Sequence, residues 1–157
     1  MSSSSSSSPL REQIIATAKG FTKAHSDLDL EAIRSFFAPD FVGRFNQTSL
    51  PAHTLGDKDG DAYIAWQAET YPLFKSYDAQ LVDVVVDEAQ LKAALYIAVV
   101  GEPAVPGLTE LYKSRYIHTI TVTEDGKLVR VFDSFVDSAV MLDYIAKVTA
   151  AQGEGKK

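Results

Sequence analysis

The sequence contains no cysteine among its 157 residues, which excludes disulfide bonds, thiolate metal sites and cysteine nucleophiles. Histidine is scarce as well: only His25, His53 and His118 occur, and their spacing forms neither an HxH nor an HExxH motif. A zinc site is therefore disfavoured. No glycine-rich phosphate loop follows a predicted strand, so a nucleotide cofactor has no support either. We predict a protein that works without any cofactor.

Positive charge is also sparse, with 15 basic residues against 21 acidic ones and a formal net charge of −6. Because the basic residues form no stripe that could neutralise phosphates, nucleic acid is a poor partner. No apolar run approaches the roughly 20 residues that span a bilayer. The N-terminus, MSSSSSSSPL, lacks the cationic start and apolar stretch of a secretory signal. We expect a cytoplasmic protein that binds neither nucleic acid nor membrane.

Hydrophobic residues make up 46% of the sequence, and a chain of this length fits one domain with a sizeable core. The serine run has no apolar area to bury, so residues 1–8 are predicted to be a disordered tail. Residues 9–150 are predicted to form the folded domain, and residues 151–157 a frayed tail.

The order of predicted elements indicates an α+β fold. Helices are predicted over Pro9–Ala24, over a short segment that is capped by Asp27 or Asp29 and stopped by Pro39, over Asp61–Thr70, and after Asp137–Ser138. Strands are predicted over 41–46, 79–86, Gln90–Val100, Thr109–Thr123 and Lys127–Val136, with a hairpin turn at Glu124–Gly126. The predicted order has three helices, then long antiparallel strands, then one helix. A parallel α/β protein would instead alternate strands with helices.

The strand predicted over Thr109–Thr123 has the most informative pattern. Side chains alternate across a strand, so Tyr112, Ser114, Tyr116 and His118 share one face. Aromatic bodies with polar tips are the lining that a sheet curled around a hydrophobic ligand requires. The alternative is that both tyrosines are ordinary core residues whose hydroxyls reach water.

Several motifs resemble one known family. PLF closes the third helix, and YKSRY and EDGKLVRVFDSFVDS follow near the end. They resemble the SnoaL-like branch of the cone-shaped α+β barrels, a fold shared by ketosteroid isomerase, scytalone dehydratase and limonene epoxide hydrolase. The resemblance implies N-terminal helices packed on a strongly curved, mostly antiparallel sheet, followed by a C-terminal helix. The FVDSA segment after the hairpin resembles fungal tailoring proteins of natural-product pathways, which include isomerases, cyclases and a semipinacol-rearranging enzyme of indole-alkaloid biosynthesis.

The resemblance also implies catalytic residues. An arginine of such proteins corresponds to Arg44, and a pair of tyrosines four residues apart corresponds to Tyr112 and Tyr116. The acidic residue often found before FVDS falls on Ser134, which supplies only a hydroxyl. The adjacent Asp133 points to the opposite face by strand alternation, so it acts only if a bulge re-aims it and is otherwise a solvent or dimer-interface carboxylate.

Each candidate group suits a different part of the chemistry. Arg44 offers a planar set of donors for a developing enolate or alkoxide, unless it forms a surface ion pair. Tyr112 and Tyr116 can donate to a carbonyl or shuttle a proton. His118 could serve as a base, since the ordinary pKa of histidine is about 6.5, unless it is a hydrogen-bonded core histidine. The predicted substrate-binding residues are Tyr63, Trp66, Phe74, Tyr96 and Ser134.

The resulting hypothesis is an isomerase or cyclase that needs no cofactor and acts on a hydrophobic, carbonyl-bearing secondary metabolite (a polyketide, terpenoid or indole alkaloid) of a fungal pathway. The alternative from another class is a non-catalytic binding or accessory protein, since one fold can host both. A hydrolase would need a carboxylate pair that the predicted pocket does not offer. The many β-branched residues on both faces of 79–100 and 127–136 predict a homodimer, and the family resemblance implies the same.

Overall fold

The computed structural model describes residues 7–154 of the chain. Within them the helices are α1 (Pro9–Ser26), α2 (Leu30–Ser35), α3 (Gly60–Thr70) and α4 (Ser138–Glu154). The strands are β1 (Phe37–Phe45), β2 (Gly56–Lys58), β3 (Phe74–Asp87), β4 (Lys92–Pro103), β5 (Tyr112–Val122) and β6 (Val129–Val136), and single 3-10 turns lie at Ala52–Thr54 and Tyr71–Leu73.

The six strands form one mixed sheet in the order β2-β1-β6-β5-β4-β3. Neighbouring strands are antiparallel except β1 and β6, which run parallel. Register shifts in β1, β3 and β6 mark irregularities of the kind that bend a sheet. Helix α1 contacts β3 and β4, α3 contacts β1, and α4 contacts β5. The predicted α+β fold, with helices packed on a mostly antiparallel sheet, is confirmed.

Helix α1 forms where an apolar stripe and a strong N-cap coincide. The Ser8 side chain accepts a hydrogen bond from the Arg11 amide, and Pro9 occupies the first turn, where a missing N–H costs nothing. Ile14, Ala18 and Phe21 recur at helical spacing and are buried. Ser8 therefore belongs to the helix cap, whereas residues 1–6 of the predicted tail lie outside the described residues.

The prediction that Pro39 ends the second helix is wrong. Helix α2 already ends at Ser35, and Pro39 lies inside β1. The β1–β6 pairing shifts register between Phe37 and Val42, and Pro39 falls in that gap. Because proline has no N–H to donate to a ladder, an irregular stretch is where a strand tolerates it. Phe37, predicted to be helical, is the first residue of this strand.

The last helix is longer than predicted. Asp137 accepts hydrogen bonds from the amides of Ala139 and Val140, and the helix that follows continues to Glu154. Residues 151–154 of the predicted frayed tail are thus helical, and residues 155–157 lie outside the described part. No helix between residues 7 and 154 is long and apolar enough to cross a membrane.

The two faces of the sheet have different surroundings. The inner face, under the helices, carries buried residues such as Leu95, Ile120 and Phe132. The outer face exposes a row of apolar side chains from three neighbouring strands: Tyr96 pairs with Ile117, and Ile117 pairs with Phe135. Their exposed fractions are 40%, 56% and 60%, respectively. We call these three residues the outer row.

Candidate active site

The inner face of the sheet encloses a cavity of about 300 Å³, a size that suits a small organic ligand. Its lining residues come from α1, α3, α4, β1, β3, β5 and β6, from the segment after β1 and from the 3-10 turn at Tyr71–Leu73. None of its described lining residues is Asp, Glu, Lys or Arg. Seven of the ten predicted site residues line it: Tyr63, Trp66, Phe74, Tyr112, Tyr116, His118 and Ser134.

Arg44 and Asp133, both named as catalytic candidates, do not line the cavity. Each instead matches the alternative given for it: Arg44 forms a surface ion pair, and Asp133 is an outward-facing carboxylate. On β1 the side chain of Phe45 is buried, and a Cβ on Gly43 would meet the Tyr63 ring at 2.8 Å. Strand alternation therefore directs Arg44 to the outer face, where its guanidinium lies 3.7 Å from the Asp57 carboxylate. Asp133 pairs with Arg44 in register and shares that outer face, because no bulge re-aims it.

Tyr96 is the third predicted site residue that lies elsewhere. It belongs to the outer row, on the face of β4 opposite to the buried Leu95 and Ile97. The Arg115 guanidinium lies over its ring, 5.7 Å from the ring centre. Tyr96 therefore cannot contact a molecule in the cavity.

Three tyrosine hydroxyls meet in the cavity wall. The Tyr112 and Tyr116 oxygens are 2.6 Å apart, and the Tyr77 hydroxyl lies 3.5 Å from that of Tyr116. Burial raises the pKa of all three phenols, so they remain protonated at neutral pH. Two hydrogen bonds among three hydroxyls use two hydrogens, which leaves one hydrogen to donate to a ligand oxygen. We call this group the tyrosine cluster.

His118 faces the same cavity beside the cluster. Its ring centre lies 5.3 Å from that of Tyr116 and 4.8 Å from that of Phe132. Burial, assisted by the nearby His25, lowers the pKa of His118 to about 3. The imidazole is therefore neutral at pH 7, and it is a much weaker base than the ordinary pKa of histidine suggests. Ser134 pairs with His118 across the strands and brings no carboxylate to help it.

A second polar chain, formed by His25, Tyr63 and Gln67, crosses the cavity wall. The Tyr63 hydroxyl lies 2.7 Å from His25 Nε2 and accepts a hydrogen bond from Gln67 Nε2 at 2.8 Å. His25 Nδ1 lies 2.9 Å from the carbonyl oxygen of Phe21. Burial lowers the pKa of His25 to about 4 and raises that of Tyr63. Both groups are therefore uncharged at neutral pH.

Sequence reasoning missed His25, Gln67 and Tyr77. His25 continues the buried stripe of α1, four residues after Phe21, so helical spacing was a usable signal. Gln67 likewise follows Tyr63 by four residues on α3. Tyr77 carried no such signal, because the predicted strand began only at Ala79.

Trp66 lines the cavity and is only partly buried. Its indole packs on the Phe45 ring with centres 4.6 Å apart, and the Lys58 ammonium lies 5.7 Å from the indole centre. Lys58 Nζ also donates to the carbonyl oxygens of Thr54 and Leu55, which holds the segment after β1 against this wall. Trp66 is thus placed to cover a ligand rather than to fill the core.

We expect Trp66→Ala to weaken ligand binding more than it weakens the fold. A half-buried indole at a cavity should cost about 1–2 kcal/mol of unfolding free energy, below the 3–5 kcal/mol typical of a fully buried aromatic residue. Urea denaturation measures the stability, and calorimetry with tetralone, a bicyclic aromatic ketone, measures binding. Phe41→Ala is the matched control, because Phe41 is buried away from the cavity and should show the opposite pattern. A stability loss of 3–5 kcal/mol for Trp66→Ala would identify it as a core residue.

The fold of this chain is similar to the fold of several solved structures, including one described as SnoaL-like. A protein described as a SnoaL-like polyketide cyclase from Jannaschia sp. CCS1 superimposes with a TM-score of 0.70 at 15% identity, over 87% of this chain and 94% of that one. PrhC of Penicillium brasilianum NBRC 6234 gives 0.82 at 21% identity, over 91% and 92%. BvnE pinacolase of Penicillium brevicompactum gives 0.80 at 24% identity, over 92% and 99%. The predicted resemblance is confirmed at the level of fold.

Two curated fungal proteins are similar to this chain in sequence over nearly its whole length. The chain is 27% identical to austinoid biosynthesis cluster protein H of Aspergillus calidoustus over 145 residues, which cover 90% of this chain and 95% of the relative. It is 28% identical to the austinoid biosynthesis clusters protein H of Penicillium brasilianum over 144 residues, which cover 91% and 95%. No protein-family model matches the sequence.

Proposed function

We propose that this protein is an isomerase or cyclase that needs no cofactor and rearranges an uncharged, hydrophobic, carbonyl-bearing secondary metabolite in a fungal biosynthetic pathway. The observation that carries the proposal is the tyrosine cluster, which lies in a cavity whose described lining contains no charged side chain. A charged ligand would find no counter-ion there, and its desolvation would be costly. A neutral ligand oxygen would find a hydrogen-bond donor.

The tyrosine cluster supplies the catalytic step in this proposal. In a rearrangement of a hydroxy ketone, a carbon–carbon bond breaks at the hydroxyl-bearing carbon and forms at the carbonyl carbon. Negative charge then develops on the former carbonyl oxygen, which the free phenolic hydrogen of the cluster stabilises until the substrate's own hydroxyl proton moves to that oxygen. Hydrogen bonding between Tyr112 and Tyr116 holds the donor in place before the reaction, so little reorganisation is needed. Apolar walls such as Phe74, Phe132 and Val136 exclude water and strengthen the interaction.

The relatives support this class of chemistry. The similar solved structures include a pinacolase and a polyketide cyclase, and the curated relatives are proteins of austinoid biosynthesis clusters. A pinacol-type shift in a hydroxy ketone moves a carbon–carbon bond and a hydroxyl proton within one molecule, so no hydride or electron acceptor is consumed and the mass is unchanged. The substrate proposed here is a polyketide, terpenoid or indole alkaloid with a carbonyl group.

One observation favours the second candidate, a binding or accessory protein. The described lining provides no carboxylate, and burial lowers the pKa of His118 to about 3, so a strong general base is missing.

The two functions are distinguished by turnover, because an enzyme converts the metabolite and a binding protein leaves it unchanged. Incubation of the protein with a metabolite extract from its own organism, followed by chromatography and mass spectrometry, should show one compound converted into an isomer of equal mass. Binding with an unchanged product distribution would favour the accessory role.

We also propose that the outer row is the interface of a homodimer. Three large apolar side chains in register would be shielded from water by a second sheet, and exposed apolar patches often mark such contacts. Sedimentation is expected to give about twice the chain mass of 17.1 kDa. Ile117→Lys should yield a monomer, whereas Leu142→Lys, which changes an exposed leucine on α4, should remain a dimer. A monomeric parent protein at micromolar concentration would refute the interface.

A further inference from the structure

The hydrogen-bond directions in the His25–Tyr63–Gln67 chain can be assigned without ambiguity. A carbonyl oxygen only accepts, so His25 Nδ1 carries the hydrogen that it donates to Phe21. With a pKa of about 4, His25 is neutral at pH 7 and carries no second ring hydrogen. Its Nε2 is therefore an acceptor, and the Tyr63 hydroxyl donates to it.

This assignment fixes the amide of Gln67. Because the Tyr63 hydrogen is directed to His25, the Tyr63 oxygen can only accept, and the Gln67 side chain must present its NH₂ group to it. The opposite amide orientation would set two acceptors against each other. The amide oxygen of Gln67 is consequently turned away from Tyr63.

The amide oxygen of Gln67 is free to meet a ligand. Gln67 is only 7% exposed and lines the cavity. Within residues 7–154 its amide oxygen accepts no hydrogen bond from the protein. This oxygen is also not fully enclosed by protein atoms, so a ligand can reach it. A buried acceptor with unused capacity gains most from a partner that the ligand brings.

We propose that Gln67 determines specificity by accepting a hydrogen bond from a hydroxyl or N–H group of the substrate, with His25 and Tyr63 as positioning residues that hold its amide in one orientation. The substrate then carries a donor that meets Gln67 and, in addition, an acceptor that meets the tyrosine cluster. This inference deepens the proposed function and rests on the cavity being the substrate site. It narrows the substrate class to metabolites with both a carbonyl group and a separate hydroxyl or amide N–H.

Binding of three aromatic ketones tests the inference. The probes are 6-hydroxytetralone, 6-methoxytetralone and unsubstituted tetralone, which share the carbonyl group and differ in the presence of a donor. Trp66 is the only tryptophan and lines the cavity, so its fluorescence reports occupancy. The hydroxy compound is expected to bind about five- to tenfold more tightly than either of the others, as one additional hydrogen bond allows.

Variants identify the residue responsible. Gln67→Met keeps the length of the side chain without its amide, and we expect it to bind all three ketones equally. Tyr63→Phe should reduce the preference for the hydroxy compound, because the amide is then free to rotate. Thr70→Val is the matched control on the same helix: its hydroxyl is bonded to the Trp66 carbonyl oxygen, so the preference should persist.

Equal binding of the three ketones by the parent protein, no binding of any of them, or a preference that survives Gln67→Met would each overturn the inference. These experiments measure binding alone. A failure here leaves the turnover test of the tyrosine cluster unaffected, and absence of turnover leaves the binding preference measurable.

Discussion

Tyr116→Phe is expected to lower the rate of turnover about 10²–10³-fold while binding of the metabolite survives. The substitution keeps the ring and its packing but removes the hydroxyl that contacts both Tyr112 and Tyr77. The two remaining hydroxyls then lose the hydrogen bonds that hold them in place, and the charge that the cluster stabilises appears mainly in the transition state, so the rate should fall more than the affinity. Single-turnover kinetics with the metabolite identified from the extract would measure the effect.

Arg44→Lys is the control for this prediction. The sequence resemblance implies that Arg44 acts together with the tyrosines, but its guanidinium lies on the outer face beside Asp57. We therefore expect Arg44→Lys to stay within a few-fold of the parent rate. Tyr112→Phe should lower the rate about as much as Tyr116→Phe, because either change removes the hydrogen bond between the Tyr112 and Tyr116 hydroxyls. If both tyrosine variants remain within a few-fold of the parent, the cavity only binds its ligand and the enzymatic proposal should be dropped.

The features that sequence could predict were those fixed by local periodicity. Alternation along β5 is a property of any strand, and it correctly placed Tyr112, Tyr116 and His118 on one inner face. The same rule predicted that Asp133 faces outward. Applied to Phe41, Gly43 and Phe45, it would also have placed Arg44 outside, but the role of Arg44 came from the resemblance alone.

Other features depend on contacts between distant segments, which periodicity does not encode. Tyr77 reaches Tyr116 only because β3 pairs with β4 and β4 pairs with β5. His25 reaches Tyr63 only because α1 and α3 lie on the same face of the sheet. Burial of both histidines, and with it the loss of their basicity, likewise follows from the assembled fold rather than from neighbouring residues.

The two buried histidines predict a steep loss of stability in mild acid. In the unfolded chain each has an ordinary pKa of about 6.5, whereas burial lowers the pKa to about 4 for His25 and about 3 for His118 in the folded protein. Below pH 6.5 the unfolded state therefore binds more protons than the folded state. The free energy of unfolding must then decrease as the pH falls from about 6.5 towards the folded pKa values.

The expected loss is large compared with the stability of a typical domain. At about 1.4 kcal/mol per pKa unit, the shift of His25 corresponds to about 3 kcal/mol and that of His118 to about 5 kcal/mol. Domains of this kind are stable by about 5–15 kcal/mol, so we expect unfolding in acid well before most carboxylates are protonated. Urea denaturation at closely spaced pH values between 7 and 4 would measure the slope.

His118→Gln should reduce this pH dependence by roughly half, since one of the two titrating groups is removed.

The surface pair of Asp40 and Arg130 provides a control in which a different group titrates. Hydrogen bonding to Arg130 lowers the pKa of Asp40 below its ordinary value of 3.8, so the contribution of this carboxylate is lost only below that pH. Asp40→Asn should therefore leave the slope between pH 6.5 and 4 unchanged. A free energy of unfolding that stays constant from pH 7 to 4.5 would contradict the burial of both imidazoles as neutral groups, and with it the hydrogen-bond directions assigned to His25, Tyr63 and Gln67.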